Sequence, residues 1–342
     1  MNGLDVKSVN RLNAKKIKGF FFQNAIFIVL IILVLLIAVK DTRFLSITCF
    51  RDILLQCSPR AIIALGAAFV LITGGTDLSA GRVVGLTAVL SSSMLQTAEY
   101  SRRFFPNLPQ LPIFLPVLIA LGAGLVIGLI NGLIVAKFSV PPFIATLGTM
   151  VIVLGANSLY FDLPPNNSQP IGGLRKDFTF LGSGNILNIP VIIITAVIIS
   201  LIVWVVFNKT RLGKNMYAIG CNKDAAKVSG INVGRNLICI YAIAGALYSI
   251  GGILVAARSG GASNTYGNMY ELDAIAACVV GGVSTAGGVG TVPGVLAGVV
   301  IFEVINYGLT FIGVSPYWQW VAKGAIIVVA VAFDIRKYLA KK

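Results

Sequence analysis

Apolar residues fall along this chain in blocks, and most blocks are as long as a bilayer core is thick. Read as runs of about 20 residues, they predict spans near 20–39, 53–73, 79–97, 112–136, 143–161, 189–208, 236–257, 272–290, 291–312 and 317–335. The second and third are separated only by Gly74-Gly75-Thr76-Asp77-Leu78. The eighth is the weakest, because Gly281, Gly282, Gly287, Gly288 and Gly290 crowd its second half. A broken or re-entrant helix there is tolerable only where protein or a cavity surrounds it. The first run follows Lys15, Lys16 and Lys18 but is too long for a signal-peptide core and has no small-residue cleavage site, so it reads as a retained span.

Composition agrees. The chain is 57% hydrophobic and 11% charged, with a mean hydropathy of +0.90, whereas soluble domains carry about 25% charged residues. The expected fold class is an all-α polytopic membrane protein of about ten transmembrane helices. No large soluble domain fits between the spans, so 1–342 reads as one membrane domain with an N-terminal segment over 1–19 and a main polar loop over 208–235.

The net charge of +15 does not point to nucleic acid, since no basic segment is interleaved with stacking aromatics. The basic residues sit in loops, where they report orientation. With the N-terminus inside, sixteen Lys/Arg fall in cytoplasmic segments, eight outside, and Arg60, Arg82 and Lys323 within spans. This excess predicts both termini on the cytoplasmic side and an even number of spans. The odd count of five cysteines, without a CxxC pair, and the absence of histidine argue against a disulfide framework or a metal site.

The layout carries an internal echo. Gly124, Gly128 and Gly132 in span four match Gly290, Gly294 and Gly298 in span nine. Asp77-Leu78-Ser79-Ala80, before Val83-Val84-Gly85, matches Glu271-Leu272-Asp273-Ala274, before Val279-Val280-Gly281. Both matches imply a shift of five spans, so spans 2–5 repeat as 7–10 with inverted topology, a transporter layout. The plainer account is that Gly-rich membrane helices share such spacings by chance.

Few residues offer chemistry. There is no GxxxxGK[ST] for nucleotide and no Ser/His/Asp constellation, so no catalytic residues are assigned and no cofactor is expected. Ionisable groups at membrane depth are functional candidates. Asp77, Arg82, Glu271 and Asp273 stand at span ends, the three acids as pathway candidates with helix-start capping as the alternative, while Arg60, Glu303 and Lys323 lie deeper and are expected to pair structurally and not to bind substrate. Thr146, Thr149, Asn157 and Tyr160 form a polar stripe at helical spacing. It suits a neutral polyhydroxylated solute, or else hydrogen bonding between helices.

The 208–235 loop holds Lys209, Arg211, Lys214, Lys223, Lys227 and Arg235 against one acid, Asp224. Within it Asn222 is an N-cap candidate, Asp224 complements the helix dipole, Ala225 and Ala226 favour helix, and Gly230 suits a left-handed stop. The prediction is a helix of about two turns. Such a helix is not stable alone in water, so it is either braced by its own protein or docked onto a partner.

Here the residues resemble a known family. Asp224-Ala225-Ala226-Lys227-Val228-Ser229-Gly230 resembles the EAA-x3-G coupling loop of ABC-importer permease subunits, with Asp for the usual Glu. GKNMYAIGCNKDAAKVSGINVG, GGTDLSAG at 74–81 and YELDAIAACVVGGVSTAGGVGT at 270–291 are similar to the monosaccharide-importer permeases of the ribose and galactoside group. SPRAIIALG at 58–66 and INYGLTFIGVSPYWQW at 305–320 look most like its galactose/methyl-galactoside branch. Cys221 stands where members often have glycine.

The resemblance implies ten transmembrane helices, an inner-membrane homodimer, a separate cytoplasmic sugar-type ATPase, a periplasmic sugar-binding protein and a sugar substrate. It assigns coupling to Gly220, Asn222, Asp224, Ala225, Ala226, Gly230 and Ile231. The rival expectations are an importer of the same family for another sugar such as ribose, an ion-coupled sugar symporter, which needs deep titratable groups beyond Glu303, and a passive channel or scaffold, which needs no docking helix.

Overall fold

The computed structural model describes residues 25–339, so the N-terminal 1–19 segment and the four lysines and arginine of its flank lie outside the described residues. The order is α1 (Ala25–Lys40), a 3-10 turn (Thr42–Leu45), α2 (Ile47–Ile72), α3 (Ala80–Met94), α4 (Phe114–Lys137), α5 (Pro142–Phe161), α6 (Lys176–Ser183), β1 (Asn185–Ile186), β2 (Ile189–Pro190), α7 (Val191–Lys209), α8 (Arg211–Cys221), α9 (Lys223–Val228), α10 (Val233–Ser259), α11 (Tyr270–Val280), α12 (Val292–Phe311) and α13 (Pro316–Leu339). Among the described residues, α2, α4, α5, α7, α10 and α12 are long and apolar enough to cross a membrane. The protein is a helical, multi-pass membrane protein; among the described residues its sheet is one small hairpin pairing Asn185 with Pro190 and Ile186 with Ile189.

Every predicted run contains a helix, but two are short. α2 begins six residues before its predicted start because Ser46 caps it, accepting from the Cys49 amide. α3 stops at Met94 after 15 residues, about 22 Å at 1.5 Å per residue. The run at 272–290 is helical only to Val280, and α11 has 11 residues, about 16 Å. Gly282, Gly287 and Gly288 have φ of +87°, +91° and +74°, a region open to glycine but strained for other residues. The rest of that run is therefore turns and irregular backbone and not helix, so the helix is broken where its glycines crowd.

This broken segment is covered by protein. It follows α2 in the same direction: Asp273 meets Arg60, the Cys278 thiol donates to Ala64 O at 3.1 Å, and Gly288 N donates to Ile72 O at 2.8 Å. α3 likewise follows α10. Gly75 lies against Tyr241, and a Cβ on Gly252 would fall 2.4 Å from Val84 O. α2 and α10 cross the centre antiparallel, with Gly66 against Ala244 and Gly251 against Ile63, and they are the most buried of the long helices.

Glycine sets the closest approach. A Cβ on Gly128 would sit 2.2 Å from Tyr241 O, and one on Gly245 only 2.1 Å from Gly124 O, so α4 and α10 touch backbone to backbone. In α12, Cβ atoms on Gly294 and Gly298 would lie 2.3 Å from Gly281 O and 2.0 Å from Ala277 O. The two glycine rows thus meet different kinds of neighbour: the first a long central helix, the second a half-helix and its end.

Candidate functional site

At the end of the bundle where α2 finishes, α8 and α9 form a small platform. Thr210 starts α8 by accepting from Gly213 N at 3.2 Å. Met216 and Ile219 face inward and are buried, while Arg211 and Lys214 are exposed. Asn222 ends α8 and caps α9, its Oδ1 accepting from Asp224 N at 3.0 Å and Ala225 N at 2.9 Å. At the far end Ile231 N donates to Ala226 O and Gly230 N to Lys227 O, both at 3.1 Å, with Gly230 at φ +82°. These are the two bonds of a Schellman stop. Start and stop both match the sequence reading, and the helix is six residues long.

Of α9 only Ala226 is buried, at 4% exposure; Asp224, Ala225, Lys227 and Val228 face outward, Val228 at 89%. Val228 is thus an exposed apolar side chain on a polar loop, on a helix fixed at both ends. α8, by contrast, is bolted down. A Cβ on Gly220 would fall 1.8 Å from Ile72 O and 2.5 Å from Gly288 N, so no other residue allows this contact without displacing backbone. Tyr217 donates its hydroxyl to Gly290 O at 2.8 Å. Burial raises the Tyr217 pKa above its ordinary value, so the donor stays protonated. The platform therefore leans directly on the end of α2 and on the glycine segment after α11.

Deeper in, a chain of hydrogen bonds joins the α2–α3 turn to α4 and α5. Asp77 Oδ1 accepts from Ser79 N at 2.9 Å and from its hydroxyl at 2.6 Å; Asn131 Nδ2 donates to Ser79 Oγ at 3.0 Å; Thr149 donates to Asn131 Oδ1 at 2.6 Å. Thr146 accepts from Leu78 N at 3.1 Å and reaches Thr76 O. Tyr160 meets Ser93 at 2.8 Å and stacks on Phe104. Asn157 is buried, and its Oδ1 has no hydrogen-bond partner among the described residues. So the stripe is real and inward-facing, and three of its four members bond to neighbouring segments. Asn131 was missed; its signal was an amide alone in an otherwise apolar span.

The acids near α11 divide. Glu271 packs onto Gly81, where a Cβ would lie 2.0 Å from Oε2, and that oxygen has no hydrogen-bond partner among the described residues. Asp273 accepts from both Arg60, at 3.2 Å, and Lys323, at 3.0 Å. Arg60 also donates to Glu303 Oε1 at 2.5 Å, and Asn306 adds a bond to the same oxygen at 3.3 Å. The expected pairing of Arg60, Glu303 and Lys323 is thus completed by Asp273, an acid that sequence alone put at a span end. Neither acid occupies the cap position, which belongs to Met269 at φ +63°; both stand in the first turn of α11.

These features define a class: a polytopic membrane permease with a helical platform on one face. The chain belongs to the family described as branched-chain amino acid transport system / permease component, whose model matches residues 50–331. It is 56% identical over 324 residues to a galactose/methyl galactoside import permease of Haemophilus influenzae, covering 94% of this chain and 96% of that protein. It is 52% identical over 338 residues to that of Escherichia coli K12, covering 98% and 100%. The ribose import permease of H. influenzae is more distant, at 38% over 337 residues, covering 97% and 98%. No solved structure matches the chain.

Proposed function

We propose that this chain is the membrane-spanning permease subunit of an ATP-driven importer of galactose and methyl-galactosides. The carrying observation is the identity of 51–56% over nearly the whole chain to permeases named for those substrates, against 36–40% for ribose permeases. The family description names branched-chain amino acids. The nearer relatives speak for sugar.

ATP hydrolysis belongs to a separate cytoplasmic subunit, docked on α9. Asn222 and Gly230 fix its ends; Asp224, Ala225 and Ile231 form the contact rim; Ala226 anchors it; and Gly220 passes its displacement to Ile72 and Gly288. A periplasmic sugar-binding protein delivers substrate, and two copies of the chain enclose the pathway in the inner membrane. Thr146, Thr149, Asn157, Tyr160, Asp77, Glu271 and Asp273 are proposed to flank that pathway, with the unpartnered oxygens of Asn157 and Glu271 as the sugar-facing groups.

Ten crossings with both termini cytoplasmic, all within one domain, complete the reading. Spans 2–5 repeat as 7–10 in inverted orientation, supported by α3 following α10 as α11 follows α2. The test is uptake of labelled galactose and ribose into proteoliposomes holding the chain, its ATPase and its binding protein. ATP-dependent galactose entry is expected; galactose entry unchanged without ATP refutes the reading.

A further inference from the structure

Between α2, α7 and α12 lies a cavity of about 340 Å³ that none of the sites above uses. Ala61, Ala196, Leu201, Leu296 and Val300 make most of its wall apolar. Its few polar groups offer little to a polar solute: the Ser58 hydroxyl is spent on Leu54 O of its own helix at 2.8 Å. Along α7 the groove runs from Ile193 to Trp204, about 16 Å at 1.5 Å per residue. That is close to half of a hydrocarbon core of about 30 Å, the reach of one leaflet's acyl chain.

The end at Trp204 is charged. Lys209 Nζ lies 6.0 Å from the Trp204 ring centroid, and Lys209 takes part in no ion pair among the described residues. Arg211 and Lys214 follow on the first turn of α8, both exposed. Trp at the headgroup level and Lys extended along an apolar surface are how membrane proteins place a ring and a cation at the lipid boundary. A basic cluster at the mouth of a groove between helices complements an anionic headgroup.

We infer that the groove holds an acyl chain of an anionic phospholipid, its phosphate at Lys209 and the Trp204 ring beside the glycerol. Chain-shaped apolar walls select a lipid tail; the unpaired cations select the negative headgroup over a zwitterionic one.

The test uses full-length protein with Trp318→Phe and Trp320→Phe, leaving Trp204 as the sole tryptophan of the original three. It is reconstituted in phosphatidylcholine vesicles containing increasing fractions of brominated phosphatidylglycerol or brominated phosphatidylcholine, whose bromines quench tryptophan on contact. Half-maximal quenching is expected at a several-fold lower mole fraction of the anionic lipid. That preference is expected to vanish with Lys209→Gln, a surface change that leaves the fold intact, and to shrink as salt screens the charge. Identical curves for the two lipids with Lys209 present overturn the proposal in favour of ordinary boundary lipid. Absence of quenching by either lipid overturns it in favour of a groove closed by protein, such as a second copy.

Discussion

Arg60 and Asp273, 213 residues apart in sequence, meet at 3.2 Å between α2 and the first turn of α11. The contact ties a long crossing helix to a half-helix, and Glu303 and Lys323 extend it to α12 and α13. Two cations and two carboxylates balance, so the cluster stands with no net charge. Removing one member leaves an uncompensated charge in a low-dielectric setting, which costs about 3–5 kcal/mol, whereas replacing a whole pair with apolar groups costs far less.

Arg60→Met is therefore expected to lower the melting temperature in detergent sharply. Adding Glu303→Met should recover most of that loss, because Asp273 and Lys323 remain as a balanced pair. A double variant no more stable than Arg60→Met would show that the cluster matters for packing and not for charge.

Val228→Arg puts a long cation at the exposed apolar position of α9. Uptake and ATPase association are expected to fall to background while the protein still extracts and melts normally. Sedimentation of the purified subunits together reads the association directly; unimpaired complex formation would remove α9 from the docking surface.

Asn222→Ala deletes the acceptor for two amides of α9, a change worth about 1 kcal/mol at an N-cap. ATPase affinity is expected to drop several-fold. Asn222→Asp should restore it, since aspartate also accepts from Asp224 N and Ala225 N. Failure of that rescue would mean that the Asn222 amide touches the partner itself.

Gly220→Ala forces a Cβ to within 1.8 Å of Ile72 O. The backbone must shift, separating α8 from the end of α2 and from the glycine segment. ATP hydrolysis by the assembled complex is expected to continue while galactose uptake falls. Tyr217→Phe, which removes one hydrogen bond to Gly290 O, should give a milder form of the same uncoupling, of about 1 kcal/mol.

Both caps of α9 could be read in advance because Asn222 and Gly230 satisfy backbone groups two or three residues away. Hydrophobic run length placed the helices for the same reason, since lipid demands internally bonded segments whatever their neighbours. The glycines of 281–290 announced a break, but not its course beside α2 from Arg60 to Ile72. The stripe on α5 was visible as a periodicity; its partners Asn131, Ser79 and Ser93 were not, because they come from α4 and the α3 segment.

The sequence by itself determined that the chain lives in a membrane, where its helices lie, how α9 starts and stops, and which family it resembles. Each of these follows from forces acting along a short stretch of chain. Tertiary structure alone decided that Asp273 answers Arg60 and Lys323, that Gly220 presses on Ile72, and that α4 and α12 spend their similar glycines on different neighbours. Those facts depend on which helices meet, and a pairing between groups hundreds of residues apart leaves no local trace.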